Sequence, residues 1–286
     1  MDDFHHEYID LGEVTLHCVI EGEGPLVLML HGFPEFWYSW RHQIREIARA
    51  GFRVVAPDLR GYNLSSKPKG VESYSLGKLV DDVSRLIKAL GAEKATVIAH
   101  DWGGIIAWSF AMTHPEQLER LAVLNCPHPV TFSKGLRTLK QLKKSWYMMF
   151  FQLPRLPERV ARAGRFALFR RTMMREPIRP GAVSAEEADR YAEAMSQPGA
   201  IESAINYYRA LYRKDLRPDP TNLRPIECPV LIIFGERDRH IGKELADPEP
   251  AWVPNARVER IPDASHWVQI DRPERVTTLL REFIRG

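Results

Sequence analysis

The sequence predicts an α/β fold: a mostly parallel central sheet flanked by helices on both faces, with an inserted helical cap domain. Three observations carry that reading. Short apolar, β-branched runs at 25–31, 52–56, 95–99 and 118–124 alternate with stretches of helical period, the rhythm of a parallel sheet covered on both sides. From 128 to 222 the rhythm stops, and the chain becomes rich in Arg, Met and aromatic residues and is broken by Pro154, Pro157, Pro177, Pro180 and Pro198. It resumes with Pro229-Val230-Leu231-Ile232-Ile233-Phe234. The simplest division is a core of 1–127 and 223–286 with a helical cap of 128–222.

Taken in order, 8–20 reads as a first strand, because Val14, Leu16, Cys18 and Ile20 alternate with polar residues. Leu26 to Leu30 is a continuous buried run, followed by His31-Gly32-Phe33-Pro34-Glu35 at a strand end, where α/β folds place ligand sites. Trp37 to Ala50 has an amphipathic helical pattern, and Phe52–Ala56 is the next strand. Tyr74 to Leu90 carries Leu79, Val83, Leu86 and Ile87 on one helical face. A strand at Ala95–Ala99, a helix reaching about His114 and a strand at Leu118–Leu124 follow. Beyond the cap come strands at 229–234 and Arg257–Ile261 and a closing helix at Glu274–Ile284.

The chemistry is concentrated at His100-Asp101-Trp102-Gly103-Gly104. A reactive side chain between a buried strand and a helix start, with small neighbours at Ala99 and Gly103, has the layout of a nucleophile elbow. An aspartate there, in place of serine, directs the reaction to saturated carbon. A serine would form a stable ether with an alkyl group, whereas a carboxylate forms an ester that water can cleave. Asp238 follows a later strand and His266 follows the last, so nucleophile, acid and base stand in the order Asp101, Asp238, His266. His266 is the candidate general base, and Asp238 the acid that fixes its tautomer.

Composition excludes several classes. Net charge is +3, with 44% hydrophobic and 27% charged residues, and no nucleic-acid motif is present. No apolar run is long enough to span a membrane, and the N-terminus lacks the basic and apolar regions of a signal peptide. The three cysteines are scattered in apolar contexts, which points to reduced thiols and a cytoplasmic location. Basic residues outnumber acidic ones about two to one between His128 and Asn222, read as a solvated basic helical surface. No cysteine–histidine cluster has metal-ligand spacing, and no cofactor is required.

With His31-Gly32-Phe33-Pro34-Glu35, Trp40-Arg41, His100-Asp101-Trp102-Gly103-Gly104 and Ser265-His266-Trp267, nearly the whole chain resembles the α/β-hydrolase-fold epoxide hydrolases, nearest the soluble members that have a hydrolase domain only, without an N-terminal phosphatase domain. The resemblance implies a detoxifying enzyme that converts an epoxide and water to a vicinal diol through an alkyl ester on Asp101. It implies an oxyanion hole from the backbone N–H groups of Phe33 and Trp102. It also implies two cap tyrosines that bind the epoxide oxygen. Tyr208 in Asn206-Tyr207-Tyr208-Arg209 and Tyr147 before Phe151-Gln152-Leu153-Pro154 match them, and a register slip of one would exchange Tyr207 for Tyr208. His31, Pro34, Trp37, Trp102, Met148, Phe151 and Trp267 are candidate pocket residues, and the Met- and aromatic-rich stretch from Trp146 suggests an apolar wall. The expected substrate is a small hydrophobic epoxide, aryl or aliphatic, taken by a monomer or homodimer.

Two departures from the family pattern are Ala99, where glycine is usual, and Asn63, at a position that favours a left-handed backbone. Two alternatives share the scaffold. A haloalkane dehalogenase would use the same Asp101, but its second halide donor is often an Asn where Phe33 stands, and fluoroacetate-type enzymes carry an Arg where Trp102 stands. A ligand-binding homologue would keep the pocket but tends to lose a triad member, and here all three are present.

Overall fold

The computed structural model describes residues 3–216 and 223–286. Eight strands form one sheet: β1 (His5–Asp10), β2 (Thr15–Glu21), β3 (Leu26–Leu30), β4 (Arg53–Pro57), β5 (Ala95–His100), β6 (Leu118–Leu124), β7 (Val230–Gly235) and β8 (Ala256–Ile261). Their spatial order is β1-β2-β4-β3-β5-β6-β7-β8. β2 pairs antiparallel with β1 and β4, and every pairing from β4 to β8 is parallel. The first strand expected from the sequence is two. Leu11 and Val14 are both buried, so apolar character continues through the turn between them. Gly12, at φ 89°, makes the reversal there.

The period of two along each strand assigns side chains to two layers. In β3, Leu26, Leu28 and Leu30 face one core, and Val27 and Met29 face the other. Helices α2 (Leu76–Ala89) and α3 (Trp102–Thr113) cover the first core. Helices α1 (Arg41–Ala48) and, near the C-terminus, Val268–Asp271 and Pro273–Arg285 cover the second. The strands buried on both faces hold the ends of β3, β5, β6 and β7 in fixed register, and each of those ends delivers a residue to the site.

Between β6 and β7 the described residues form helices α4 (Pro129–Gly135), α5 (Leu139–Lys144), α6 (Trp146–Phe150), α7 (Leu156–Arg175), α8 (Ala185–Ser196) and α9 (Ala200–Tyr212). α7 is broken at 163–166, where Gly164, Arg165 and Phe166 adopt left-handed angles. Ser184 and Glu187 make a reciprocal capping box at the start of α8. The sequence boundary expected at 222/223 borders 217–222, which lie outside the described residues. Buried polar contacts fasten this helical layer to the sheet. The Arg41 guanidinium pairs with Glu187 at 2.7 Å, the Tyr207 hydroxyl donates to the Arg60 carbonyl at 2.6 Å, and Gln141 bonds to the His240 carbonyl and the Gly242 N–H.

Candidate active site

Asp101 sits between β5 and α3 with φ 49°, the positive angle of a sharp strand-to-helix turn. Two glycines permit the turn. A Cβ on Gly103 would lie 2.3 Å from the Leu30 carbonyl oxygen, and one on Gly32 would lie 2.4 Å from the Asp101 Cβ. The helix begins at Trp102, directly after the aspartate. The Phe33 N–H donates to Asp101 Oδ1 at 2.8 Å. Trp102 is the first helical residue, where a backbone N–H has no intrahelical acceptor.

His266 lies between two carboxylates: its Nδ1 is 2.7 Å from Asp238 Oδ2, and its Nε2 is 3.5 Å from Asp101 Oδ2. Asp238 accepts three further hydrogen bonds, from Asn125 Nδ2 and the N–H groups of His240 and Ile241. Burial pushes the carboxyl of Asp238 up, but the His266 charge and these donors outweigh it and hold it well below the usual range. Asp101 is likewise lowered: burial opposes ionisation, while His266 and the Phe33 N–H favour it. Burial drives the His266 imidazole down, and the two carboxylates overcome this and raise it well above its ordinary value.

Asn125 and the Glu35–His100 pair carry structure that the sequence alone did not mark. Asn125, at φ 42°, joins β6 to β7 by bonds to both the N–H and the carbonyl of Gly235 while holding Asp238. Glu35 is fully buried and accepts from the Gly32 N–H at 2.9 Å, with His100 Nδ1 at 2.7 Å. The other ring nitrogen of His100 donates to the His266 carbonyl at 2.9 Å. One side-chain pair therefore ties the Phe33 loop to the loop of the base. Burial raises the Glu35 carboxyl, but His100 and the Gly32 N–H bring it below the usual range. The only sequence signal for these residues is a polar side chain beside the end of a buried strand.

A cavity of about 450 Å³ opens over this cluster. Asp101, His266, Tyr147 and Tyr208 all line it, with Phe33, Pro34, Phe151 and Trp267. The rings of Tyr147 and Tyr208 meet edge to face at 5.9 Å. Burial, then the Asp101 charge, pushes both phenols up, so both remain hydrogen-bond donors at neutral pH. Tyr207 does not line the cavity; its hydroxyl is spent on the Arg60 carbonyl.

Four expected pocket residues sit elsewhere. His31 is buried beneath the loop, accepting from the Leu59 N–H, with Nδ1 on the Gly32 carbonyl. Trp37 packs against Phe4, His6 and Phe36, on the side away from the cavity. Met148 follows Tyr147 on α6 and turns into the core between cap and sheet. The Trp102 indole lies behind the wall, edge-on to Tyr207 and Tyr208. In their place α7 supplies Val160, Leu168 and Phe169, and a polar pair, Glu176 with His240 at 2.8 Å, lines the same space. The break at 163–166 disrupts the helical period of α7, so its cavity-facing side has no sequence signature. Among the described residues, no cluster of three or more His, Cys, Asp or Glu side chains could hold a metal. No helix among them is long and apolar enough to cross a membrane.

Residues 25–273 match the family model of the alpha/beta hydrolase fold. A relative from Bacillus subtilis, AB hydrolase superfamily protein YfhM, is 40% identical over the whole of both chains. Epoxide hydrolase 4 of Mus musculus is 38% identical over 98% of this chain and 79% of its own. The chain belongs to the α/β-hydrolase-fold epoxide hydrolase family. Among solved members, an epoxide hydrolase from Bacillus megaterium superimposes with a TM-score of 0.89 at 36% identity, covering 98% of this chain and 100% of that one. A mutant of that enzyme has been solved with its product, (R)-3-[1]naphthyloxy-propane-1,2-diol.

Proposed function

We propose that this protein is an epoxide hydrolase acting on small hydrophobic epoxides, with Asp101 as nucleophile, His266 as base, Asp238 as its orienting acid, and Tyr147 and Tyr208 as donors to the epoxide oxygen. The observation that carries the reading is one cavity wall shared by Asp101, His266 and both tyrosines.

Asp101 Oδ1 is engaged by the Phe33 N–H, so Oδ2 is the attacking oxygen. It forms a bond to a ring carbon while the C–O bond of the strained ring breaks, and the oxygen takes a proton from a tyrosine hydroxyl. Esterification removes the negative charge of Asp101 and with it one of the two carboxylates that hold the His266 proton. That proton passes to the tyrosinate left by ring opening, and the neutral imidazole then accepts a proton from water as hydroxide adds to Cγ of Asp101. The N–H groups of Phe33 and Trp102 stabilise the oxyanion. Collapse breaks the bond between Cγ and the alkyl oxygen, which takes the proton held by His266 as the diol leaves; the new carboxyl of Asp101 then gives its proton to His266, and both groups are restored.

The largely apolar walls, with Phe33, Phe151 and Phe169, favour aryl or aliphatic substituents, and the naphthyl ether diol held by the Bacillus megaterium relative is of that kind. We further propose a cytoplasmic setting, supported by three unpaired cysteines, and a monomer or homodimer.

The test is turnover of styrene oxide beside 1-bromobutane, with intact-mass analysis of His266→Gln. Diol release without bromide, and a His266→Gln protein heavier by one epoxide, are the expected results. Bromide without diol would replace the reading with a dehalogenase.

A further inference from the structure

The cap segment α5–α6 turns an apolar stripe outward. Leu139, Leu142, Trp146 and Met149 recur at intervals of three, four and three, the spacing of one helical face. Ser145, between the two helices, keeps near-helical angles of φ −93° and ψ 13°, so the face is continuous. That apolar face points outward: the four residues are 77%, 49%, 64% and 60% exposed. The buried side carries two polar residues, Gln141 at 1% and Ser145 at 5%, followed by Met148 at 7%. Gln141 is held there by the His240 carbonyl and the Gly242 N–H, so the orientation is fixed by buried hydrogen bonds. Amphipathic helices of globular proteins turn the other way.

The chain around this stripe is rich in cations, four of them paired with acids of other elements: Lys134 with Glu249, Lys140 with Glu244, Arg162 with Glu202 and Arg170 with Asp189. From Lys134 to Arg175 there are twelve Lys and Arg residues and one acid, Glu158. Glu158 is buried and paired with Arg209. Leu153, Leu156, Val160 and Leu168 add exposed apolar side chains in the same segment. Trp146, Val160 and Leu168 are both exposed and part of the cavity lining, beside Lys143 and Lys144, so the apolar surface reaches the mouth of the site. A solvated basic surface accounts for the cations but not for this outward stripe.

We infer that the α5–α7 face of the cap docks on an anionic lipid surface, with its apolar side chains in the headgroup boundary and its cations on lipid phosphates. Apolar residues flanked by Lys and Arg are the composition of an interfacial helix. A second copy of the chain fits less well, since two such faces would bring like charges together. In the docked orientation the cavity opens toward the lipid, where apolar epoxides partition.

The experiment is co-sedimentation of the full chain, without substrate, with vesicles of phosphatidylcholine alone and of phosphatidylcholine mixed with phosphatidylglycerol. Binding is thus read independently of the epoxide reading. Binding to the mixed vesicles at low salt, weak binding to phosphatidylcholine and release by high salt are expected. The triple variant Leu139→Ser, Leu142→Ser, Met149→Ser should bind at least about tenfold more weakly, and Arg137→Gln about fivefold. None of the four lines the cavity, so turnover of a water-soluble substrate should stay unchanged. Failure to bind mixed vesicles at low salt, or undiminished binding by the triple variant, would overturn the inference. A dimer in sedimentation velocity that the triple variant dissolves would overturn it too, by assigning the face to a second copy.

Discussion

Replacing Tyr207 and Tyr208 one at a time by phenylalanine removes a hydroxyl from neighbouring residues of the same helix with opposite consequences. The Tyr207 hydroxyl is fully buried and donates to the Arg60 carbonyl at 2.6 Å. Its loss leaves that carbonyl without the donor, at a cost of about 1–2 kcal/mol, or a fall in Tm of about 3–6 °C for a chain of this size. Tyr207→Phe should therefore melt earlier and turn over normally. Tyr208 lines the cavity with Asp101, and its hydroxyl is one of two proposed donors to the opening ring. Tyr208→Phe, whose hydroxyl accepts from the Trp102 indole N–H, should lose no more Tm than Tyr207→Phe and slow alkylation by about 10–100-fold, less than a sole acid would lose because Tyr147 remains. Calorimetry reads the first effect, and rapid-quench single turnover reads the second. If Tyr207→Phe lost alkylation at an unchanged Tm, the assignment of Tyr208 would be wrong.

Asn125→Ala removes the donor to Asp238 and both bonds to Gly235; urea unfolding should show a loss of about 3 kcal/mol or more, with a lower kcat. Gly103→Ala forces a methyl group to 2.3 Å from the Leu30 carbonyl and should cost about 3 kcal/mol. Gly77→Ala, where a Cβ meets nothing within 4 Å on α2, should instead gain about 0.5–1 kcal/mol in the same assay. The raised imidazole of His266 contributes stability that is complete below its ordinary value of about 6.5 and is lost as pH climbs through the folded value. The lowered carboxyl of Asp238 loses its contribution only in strong acid. The Tm difference between wild type and His266→Gln should be largest at roughly pH 5–6.5 and shrink in alkali; a difference that widened above neutrality would contradict the triad electrostatics.

Strands β3, β4, β5 and β7 were legible because each is a short, largely apolar run; β6 spans the residues its pattern gives, Leu118–Leu124. Asn63 takes the left-handed angle expected of it, at φ 39°. The first hairpin was not legible, since Leu11 and Val14 continue the apolar character of the strands through the turn. The pocket wall was read from composition, and composition does not tell which side of a helix faces the cavity. Tyr147 and Met148 are adjacent in sequence yet face the cavity and the core. Trp37 and His31 flank a site motif but pack behind it. Glu35, His100 and Asn125 have partners 65 to 166 residues away, and no local pattern encodes that.

The strain at residue 101 resides in the backbone. The angle φ 49° goes with the close approach of the Leu30 carbonyl to Gly103, while Gly32 leaves room for the Asp101 side chain, whose carboxylate makes its hydrogen bonds at the far end. The turn is thus a mount indifferent to its cargo: any short side chain placed there would be presented at the same spot, beside the same base and under the same N–H donors. Such a scaffold can change the reaction it runs by a single codon. The cap, which must match the new leaving group, is where a lineage switching chemistries has to do most of its rebuilding.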